Sequence, residues 1–507
     1  MSQGGVFQLL TNQGRQDNLL LAIRLLKERV RQIKEKNMKA IRRENPSITS
    51  AEMKQLRSQW IPTLKSIETT HSVFIKHSFK PFLAMTHEYS KNVTGRGTQK
   101  LGSTYNFNIN QKGQFTNDMV MYVKLTGLQA TSSLDKVRYA EFLGHRLMKN
   151  VKFKIQQQVF DEYDSDVQNA EFHFNEPFGK EKGYLRNIGQ ETPEMGYLTA
   201  DPTSDEVREY RWFGQGPQTF KRTQLDVEMW IPLQFWFRDI RMALPNFMLP
   251  TDQVQVEVEF EQEANLVAYA NYGGGGTYSV PTVAESYLYV NHLFIQPEIE
   301  TIFRERFKFQ LIRVWKVHRE KGLRSSSGDF RLKDLKYPVE TLYVGFRPQV
   351  NLTNSQQWHR MSNITTNTYK SCVVTGVSTI QVNSASYLTN SHVVSKLALK
   401  SHDITIYPET SPQFYADYLP HRYGDFTKTP NESGWMMFNF NEKPNSYEPS
   451  GHFNTSRSRE LYLHYTTASN SGVDVIRDAN PVDVIIIARC INFLTFDSGA
   501  VALRYAT

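Results

Sequence analysis

Clusters of carboxylate side chains are the first places in this sequence where chemistry could occur. The densest acidic group is Asp161, Glu162, Asp164 and Asp166, whose closely spaced oxygens could ligate calcium. The segment lacks the glycine and the distal glutamate of an EF-hand loop. A solvated turn is therefore the preferred interpretation, with a calcium site as the alternative.

Two further groupings have residue types that suit catalysis or phosphate binding. Trp358 and His359 are adjacent, which would suit a catalytic base flanked by an aromatic ring, but a packed structural pair is the favoured interpretation. Ser450-Gly451-His452 lies close to Arg457 and Arg459, which would suit a phosphate pocket. A turn leading into a strand is favoured there.

Sequence motifs of the common enzyme classes do not occur. The chain has no GxxxxGK[ST], HExxH or GxSxG, and Gly214-Gln215-Gly216-Pro217 does not match GxGxxG. The thirteen histidines are scattered, without a spacing that would place two of them on one metal. We therefore expect no catalytic residues, no cofactor and no metal site, and we predict that the protein is not an enzyme.

Composition predicts a globular chain. The 507 residues (58.8 kDa) are 39% hydrophobic and 22% charged, which is typical of neither membrane nor disordered proteins. The longest apolar runs, such as Val484–Ala488, are far shorter than the ~18 residues of a membrane span. Met1–Gly5 lacks the basic start of a signal peptide, so none is expected. Cys372 and Cys490 predict buried thiols in a reducing compartment.

The positive charge is concentrated at the amino end. The whole chain carries +8, and residues 1–60 contain twelve Lys or Arg against five Asp or Glu. The rest of the chain is therefore almost neutral, so a nucleic-acid role for the whole protein is not expected. Any anionic partner should meet the amino-terminal segment.

Residues 1–68 are predicted to form a helical, basic arm. Apolar residues at Leu19, Ile23, Leu26 and Val30 follow the spacing of one helical face, which Asp17 could cap. The arm could dock on its own protein, bind a membrane or anionic proteins, or bind nucleic acid. We predict a membrane or protein contact through its basic residues, which are Arg24, Lys27, Arg31, Lys34, Lys39, Arg42 and Arg43.

Beyond the arm, the spacing at which apolar residues repeat changes from 3.6 residues, typical of a helix, to 2 residues, typical of a strand. Residues Gln253–Glu261 alternate strictly, which predicts a strand with one buried and one wet face. The continuously apolar Val484–Ala488 predicts a strand buried on both faces, and Trp230–Phe237 predicts another strand. About 440 residues of this pattern suggest two β-sandwiches. The segment Gln296–Glu305 predicts a short helix between them.

Several ordered motifs along the chain resemble one protein family. The amino end has Gly4-Gly5-Val6-Phe7 and Phe79-Lys80-Pro81, and the middle has Trp230–Phe237 followed by Ala243-Leu244-Pro245. The carboxyl end has the most specific set, namely Tyr447-Glu448-Pro449-Ser450-Gly451-His452, Asn454, Ser456-Arg457, Arg459-Glu460, Tyr462, Ile491-Asn492-Phe493-Leu494 and Leu503-Arg504-Tyr505. In this order and extent, they resemble the major capsid proteins of nucleocytoplasmic large DNA viruses. The branch resembled most is that of the asfarviruses, the African swine fever virus type.

This resemblance implies an all-β fold of two consecutive antiparallel jelly-roll sandwiches behind an α-helical amino-terminal arm. The expected domains are the arm at 1–68, a first jelly roll at 69–296, a short helical linker at 297–306 and a second jelly roll at 307–507. Stretches 168–215 and 262–286 are shorter than in the longest relatives, where such inserts build outward towers.

The implied function is that of a structural major capsid protein. Three copies would form a nearly hexagonal capsomer that tiles an icosahedral shell in the virion, made and assembled in the host cytoplasm. Expected partners are copies of the chain, minor capsid and penton proteins, and the inner viral membrane through the arm, without direct nucleic-acid contact. The alternatives are a transient scaffold of the poxvirus type, which has the same fold, and a lectin-like carbohydrate-binding sandwich.

Overall fold

Alternating apolar and polar residues organise the chain into antiparallel strands from residue 85 onward. The computed structural model describes residues 27–29, 31–32, 84–192, 194–199, 207–213, 217–251, 253–272, 275–353, 357–375, 379–402, 404–458, 460–470, 472–497 and 500–505. The predicted arm at 1–68 therefore lies outside the described residues, apart from two short pieces of exposed helix at 27–29 and 31–32.

The first half of the chain forms one sandwich with its flanking hairpins. Its strands are β1 (Met85–Asn92), β2 (Gly95–Gly97), β3 (Thr104–Asn108), β4 (Phe115–Leu125), β5 (Leu128–Gln129), β6 (Lys136–Tyr139), β7 (Met148–Ile155), β8 (Gln158–Asp164), β9 (Glu194–Thr199), β10 (Val207–Phe213), β11 (Thr223–Gln224), β12 (Val227–Pro232), β13 (Leu244–Pro245), β14 (Val254–Phe260), β15 (Val267–Ala270) and β16 (Val283–Ile295).

Two sheets form this first sandwich. One has the order β1-β16-β4-β12, with β13 beside β4, and the other has the order β2-β3-β14-β7-β8. In β14 the residues Val254, Val256, Val258 and Phe260 are buried while their neighbours are partly exposed, which confirms the predicted alternation. These side chains share one hydrophobic core with the buried residues of β4, because each sheet turns its apolar face inward.

The second half of the chain forms another sandwich. Its strands are β17 (Phe309–Leu323), β18 (Ser327–Arg331), β19 (Pro338–Pro348), β20 (Asn363–Thr375), β21 (Thr379–Ser391), β22 (Val394–Ser401), β23 (Ile404–Thr410), β24 (Trp435–Asn439), β25 (Phe453–Asn454), β26 (Leu461–Thr467), β27 (Ser469–Asn470), β28 (Val473–Asp474), β29 (Val482–Asp497) and β30 (Ala500–Leu503).

Its sheets have the orders β17-β29-β19-β24 and β18-β26-β22-β23. Every residue of Val484–Ala488 in β29 is buried, as predicted. The neighbouring strand β19 is buried along its whole length. Both strands lie at the centre of a sheet, where a strand covered on both faces becomes continuously apolar.

Short helices connect the strands. They are α1 (Leu143–Leu147), α2 (Ser165–Asn175), α3 (Phe178–Asn187), α4 (Glu263–Leu266), α5 (Pro297–Arg306), α6 (Gln349–Thr353) and α7 (Leu419–Arg422), with 3-10 turns at Trp236–Arg238, Ile240–Met242 and Asn246–Met248 and a π-helical turn at Phe414–Tyr418. Among the residues that the structure describes, no helix is both long and apolar enough to cross a bilayer.

The prediction of one continuous strand over Trp230–Phe237 is wrong in its second half. Strand β12 ends at Pro232, which has no N–H group for further pairing. The chain then turns, and the aromatic rings of Phe235, Trp236 and Phe237 pack on Phe153 with centroid distances of 5.2–5.5 Å. The apolar residues after Pro232 therefore pack into the core from a turn and not from a strand.

The chain divides into two compact units. The smaller unit comprises Met1–Glu88 and Leu293–Thr301, so that its described part contains the start of β1, the end of β16 and the first half of α5. The larger unit comprises Tyr89–His292 and Ile302–Thr507 and holds most of both sandwiches. The contacts between the two sandwiches described below lie within this larger unit.

Candidate assembly interface

The acidic segment at the end of β8 lies between the two sandwiches. Asp164 caps helix α2, and its Oδ1 accepts hydrogen bonds from the backbone N–H groups of Asp166 and Val167 at 3.0 Å. Asp161 accepts the backbone N–H of Trp315, on strand β17, at 3.1 Å. The segment thus links the first sandwich to the edge strand of the second.

Two arginines of the second sandwich neutralise this segment. Arg347 and Arg319 each place a guanidinium nitrogen 2.8 Å from a carboxylate oxygen of Asp166. Arg319 also pairs with Asp164. Burial alone would raise the pKa of Asp166, but the two guanidinium groups outweigh it and hold that pKa well below its usual range. Asp166 is therefore a buried anion shared by two cations.

The neighbouring Asp161 is in the opposite electrostatic state. Burial raises the pKa of its carboxyl to about 8, although the N–H of Trp315 partly counters the effect. Among the described residues, one of its oxygens, Oδ2, has no hydrogen-bond partner. Burial favours the neutral form of a carboxyl that has no guanidinium group close enough to form an ion pair with it.

The interpretation of residues 161–166 as a solvated turn is wrong. Asp161 and Asp166 are 3% and 4% exposed, because the second sandwich covers them. In the described part of the chain, no group of three or more His, Cys, Asp or Glu side chains could hold a metal ion. The acidic cluster is a structural joint between sandwiches.

Tryptophans of the second sandwich complete the joint. The indole N–H of Trp315 donates to the carbonyl of Gln234 at 3.2 Å, and that of Trp358 donates to the carbonyl of Glu141 at 2.7 Å. Trp435 in the same way donates to the side chain of Asn169 on α2 at 3.2 Å. Each ring buries a large apolar area while its one polar atom is satisfied by the other sandwich.

Three histidines are packed together at the same joint. His145 and His173 come from helices α1 and α2, and the rings of both contact Phe142, which also contacts His359 at a centroid distance of 4.8 Å. Burial lowers the pKa of His145 to about 3 and that of His173 to about 4. Trp358 and His359 are 0% and 2% exposed, which confirms the packed pair.

The remaining sequence-predicted sites are on the surface or outside the described chain. Ser450-Gly451-His452 lies in a loop before β25, where the Ser450 hydroxyl accepts the N–H of Lys443 at 2.8 Å. Of the basic arm residues, Lys27 and Arg31 are described and lie in exposed helical backbone. The other five, which are Arg24, Lys34, Lys39, Arg42 and Arg43, lie outside the described residues.

Sequence reasoning missed a group of aromatic rings on the outward face of the first sandwich. Trp230 on β12 lies directly opposite Tyr122 on β4, and their ring centroids are 4.8 Å apart. Tyr289 and Tyr287 on β16 extend the group, at 5.1 Å from Trp230 and 5.8 Å from Tyr122 respectively. The signal was present in the alternation, because these rings occupy the polar positions of their strands.

The architecture defines the class of the protein. The described chain is dominated by two antiparallel sandwiches in sequence, held together by one buried joint. It is a double jelly roll, as predicted, and solved structures of viral major capsid proteins have the same fold. The Faustovirus major capsid protein matches with a TM-score of 0.73 and 26% identity, over 96% of this chain and all of that one. The PBCV-1 virus capsid structure matches with a TM-score of 0.62 and 17% identity, over 86% of this chain and all of that one.

Sequence comparison gives the family. Residues 73–296 match the model for the amino terminus of major capsid proteins, and residues 303–502 match the model for the major capsid protein of large eukaryotic DNA viruses. The hexon protein p72 of African swine fever virus is 24% identical in an alignment that covers the whole of both chains. The chain belongs to the family of major capsid proteins of large DNA viruses. It is a structural protein of the virion capsid that associates with copies of itself, and it is not an enzyme.

Proposed function

We propose that three copies of the chain form a capsomer with a nearly hexagonal outline, which tiles an icosahedral shell. The observation that carries the proposal is the buried joint between the sandwiches. With Asp166 shared by Arg319 and Arg347, and with three indole N–H groups satisfied across the joint, the two sandwiches form a single block. Three such blocks supply six similar domains around a threefold axis.

The solution mass of the purified chain tests this proposal. Light scattering after gel filtration should give about three times 58.8 kDa, and electron micrographs should show a block with six lobes. A stable particle of 58.8 kDa at micromolar concentration would contradict it.

We propose the following division of the chain: arm at 1–68, jelly roll at 69–296, linker at 297–306 and jelly roll at 307–507. Support comes from the two family matches, which leave out 297–302, and from helix α5 at Pro297–Arg306. Limited proteolysis should cut first between the arm and the first jelly roll. Early cleavage inside a jelly roll would argue against this division.

The basic arm is proposed to contact the inner viral membrane or minor capsid proteins, with penton proteins as further partners of the capsomer. Support comes from the charge, since residues 1–60 carry most of the net +8. The near-neutral remainder supports the absence of direct nucleic-acid contact. Assembly in the host cytoplasm is proposed from the cysteine usage, in which Cys490 is a buried free thiol.

A further inference from the structure

The group of aromatic rings on the first jelly roll forms a preorganised surface. We define the aromatic face as the outward side of sheet β1-β16-β4-β12 around Tyr122, Trp230, Tyr287 and Tyr289. Trp230 is 41% exposed, while its ring is held by the rings of Tyr122 and Tyr289. Rings that are fixed before binding lose little conformational entropy on association, and such residues dominate the energy of interfaces.

The opposite side of the same jelly roll has a different character. Sheet β2-β3-β14-β7-β8 carries cross-strand ion pairs on its outward side, among them Lys149 with Glu259 at 2.6 Å and Lys152 with Glu162 at 3.4 Å. Lys149, Glu162 and Glu259 line a cleft of about 800 Å³ whose other wall is formed by the second jelly roll, at Lys316 and Arg319. This charged side therefore faces the intrachain neighbour.

Ring closure then determines what the aromatic face meets. In a ring of six domains that alternate between first and second jelly rolls, each first jelly roll has a second jelly roll on both sides. One neighbour belongs to the same chain and lies on the charged side. Because the two sheets of a sandwich face in opposite directions, the aromatic face is directed toward the second jelly roll of another copy.

The corresponding free side of the second jelly roll is sheet β18-β26-β22-β23. Its sister sheet, β17-β29-β19-β24, supplies Trp315, Arg319 and Arg347 to the intrachain joint. Alternation in β26 places Tyr462 and His464 on the outward side of the free sheet, where His464 pairs with Asp329 on β18 at 2.8 Å. The free sheet thus presents an aromatic ring among polar groups.

Charged groups of both signs border the two sides. The aromatic face is bordered by Glu228 and Glu285 and by two lysines, Lys124 and Lys91, and the Nζ of Lys91 lies 3.4 Å from the centroid of the Tyr287 ring. The free sheet of the second jelly roll has Lys396 and Lys400 on β22, and Lys396 forms an ion pair with Glu409 on β23 at 3.5 Å. In the proposed ring each first jelly roll lies between two second jelly rolls, which favours this pairing of faces over the pairing of two aromatic faces.

We propose that the aromatic face is the centre of the contact between copies, docking on sheet β18-β26-β22-β23 of the next chain. This inference rests on the proposed trimer and names the surfaces that form it. Four strands about 4.8 Å apart and about six residues long cover roughly 400 Å². That is about half of the ~800 Å² per partner in a standard interface, so loops around the face supply the rest.

The first test changes the charge at the centre of the face. Trp230→Glu should weaken association by at least about 30-fold, so that the variant elutes as a monomer at concentrations where the wild-type chain is a trimer. The matched control is Tyr272→Glu, at a 60% exposed ring outside the face, which should remain trimeric. Circular dichroism and melting temperature must show that both variants fold. A folded Trp230→Glu variant that stays trimeric would overturn the proposal.

A second test identifies the occupant of the face. In a Cys372→Ser background, the pair Trp230→Cys and Tyr462→Cys should be joined between chains by a short bis-maleimide, whereas the pair Tyr272→Cys and Tyr462→Cys should not. Cross-links between two Trp230→Cys positions, or none with Tyr462→Cys, would overturn the assignment. A wild-type chain that is never trimeric would instead refute the proposed capsomer.

A third measurement separates a second copy from the chain's own arm as the occupant. The thiol of the Trp230→Cys variant should be protected from maleimide in the trimer and react after dilution to monomer. Protection that persists in the monomer would show that a segment of the same chain covers the face, and would overturn the proposal.

Discussion

At the residue scale, two buried aspartates five positions apart have opposite roles. Asp166 is ionised because Arg319 and Arg347 surround it, whereas burial holds Asp161 in its neutral form near pH 7. Their sequence context is similar, since both lie in the same acidic segment. The difference arises from guanidinium groups that are more than 150 residues away in the chain.

This difference predicts unequal responses to the same substitution. Asp166→Asn leaves the buried Arg347 without its carboxylate and leaves Arg319 with Asp164 alone, and it should lower the free energy of unfolding by about 3–5 kcal/mol. Asp161→Asn replaces a carboxyl that is already mostly neutral at pH 7, so it should change the free energy of unfolding by less than about 1 kcal/mol. Urea denaturation at pH 7 checks both, and similar losses from the two variants would contradict the assigned charge states.

The buried histidines make the joint sensitive to acid. Burial, together with the smaller effects of the neighbouring His173 and His359, lowers the pKa of His145 to about 3. The unfolded chain binds a proton near pH 6.5, so between pH 6.5 and about 3 the unfolded state holds more protons than the folded state. Stability contributed by the neutral ring is therefore present above pH 6.5 and lost as the pH falls.

His145→Gln should remove part of this acid sensitivity. Between pH 7.5 and pH 4.5, the free energy of unfolding of the variant should fall by about 2 kcal/mol less than that of the wild-type chain, because one buried group no longer titrates. The free energy of unfolding at the two pH values is the measurement. His421→Gln, at an exposed position, is the control and should leave the pH dependence unchanged. A His145→Gln variant with the wild-type slope would contradict the argument.

At the element scale, strand β19 has no free face. One side packs inside the second jelly roll, and the other is covered by helix α2, where Phe174 stacks on Tyr343 at 4.6 Å. A Cβ added at Gly345 would lie 2.8 Å from the side chain of Met361 and 3.0 Å from that of Trp435. The strand thus has no room for even one extra methyl group.

Gly345→Ala should consequently destabilise the protein by about 1–3 kcal/mol through overpacking. The control is Gly183→Ala in helix α3, where the added Cβ meets nothing within 4 Å. That change should instead stabilise by up to about 1 kcal/mol, because alanine favours the helix. Thermal unfolding of the two variants checks the pair, and equal melting temperatures would contradict the packing described for β19.

The strands show what the sequence could and could not predict. Alternation in Gln253–Glu261 and the apolar run Val484–Ala488 report local burial, so both strands were predictable. Pro232 and the rings after it turn into the core, which a run of apolar residues does not distinguish from a strand. The arginine partners of Asp166 and the neighbours of Trp230 depend on pairing between distant strands, which a single sequence does not encode locally.

At the scale of the whole molecule, the net positive charge and the jelly rolls are in different parts of the chain. The jelly rolls are almost neutral, so that copies can approach closely without repulsion. The basic residues 1–60 precede them and are proposed to contact the inner membrane or minor capsid proteins. If the division holds, trimer formation and shell formation are separable properties.

Deletion of residues 1–40 should therefore leave the trimer intact and impair shell assembly. A subtler variant replaces Arg24, Lys27, Arg31, Lys34, Lys39, Arg42 and Arg43 with glutamine, which keeps the length and the apolar face of the arm. Because each basic side chain adds about 1 kcal/mol near an anionic bilayer, this variant should lose binding to vesicles that contain phosphatidylserine while keeping the trimer mass. Monomers after the deletion would instead show that the arm holds the trimer together, and unchanged shell assembly would show that its charge has no part in building the capsid.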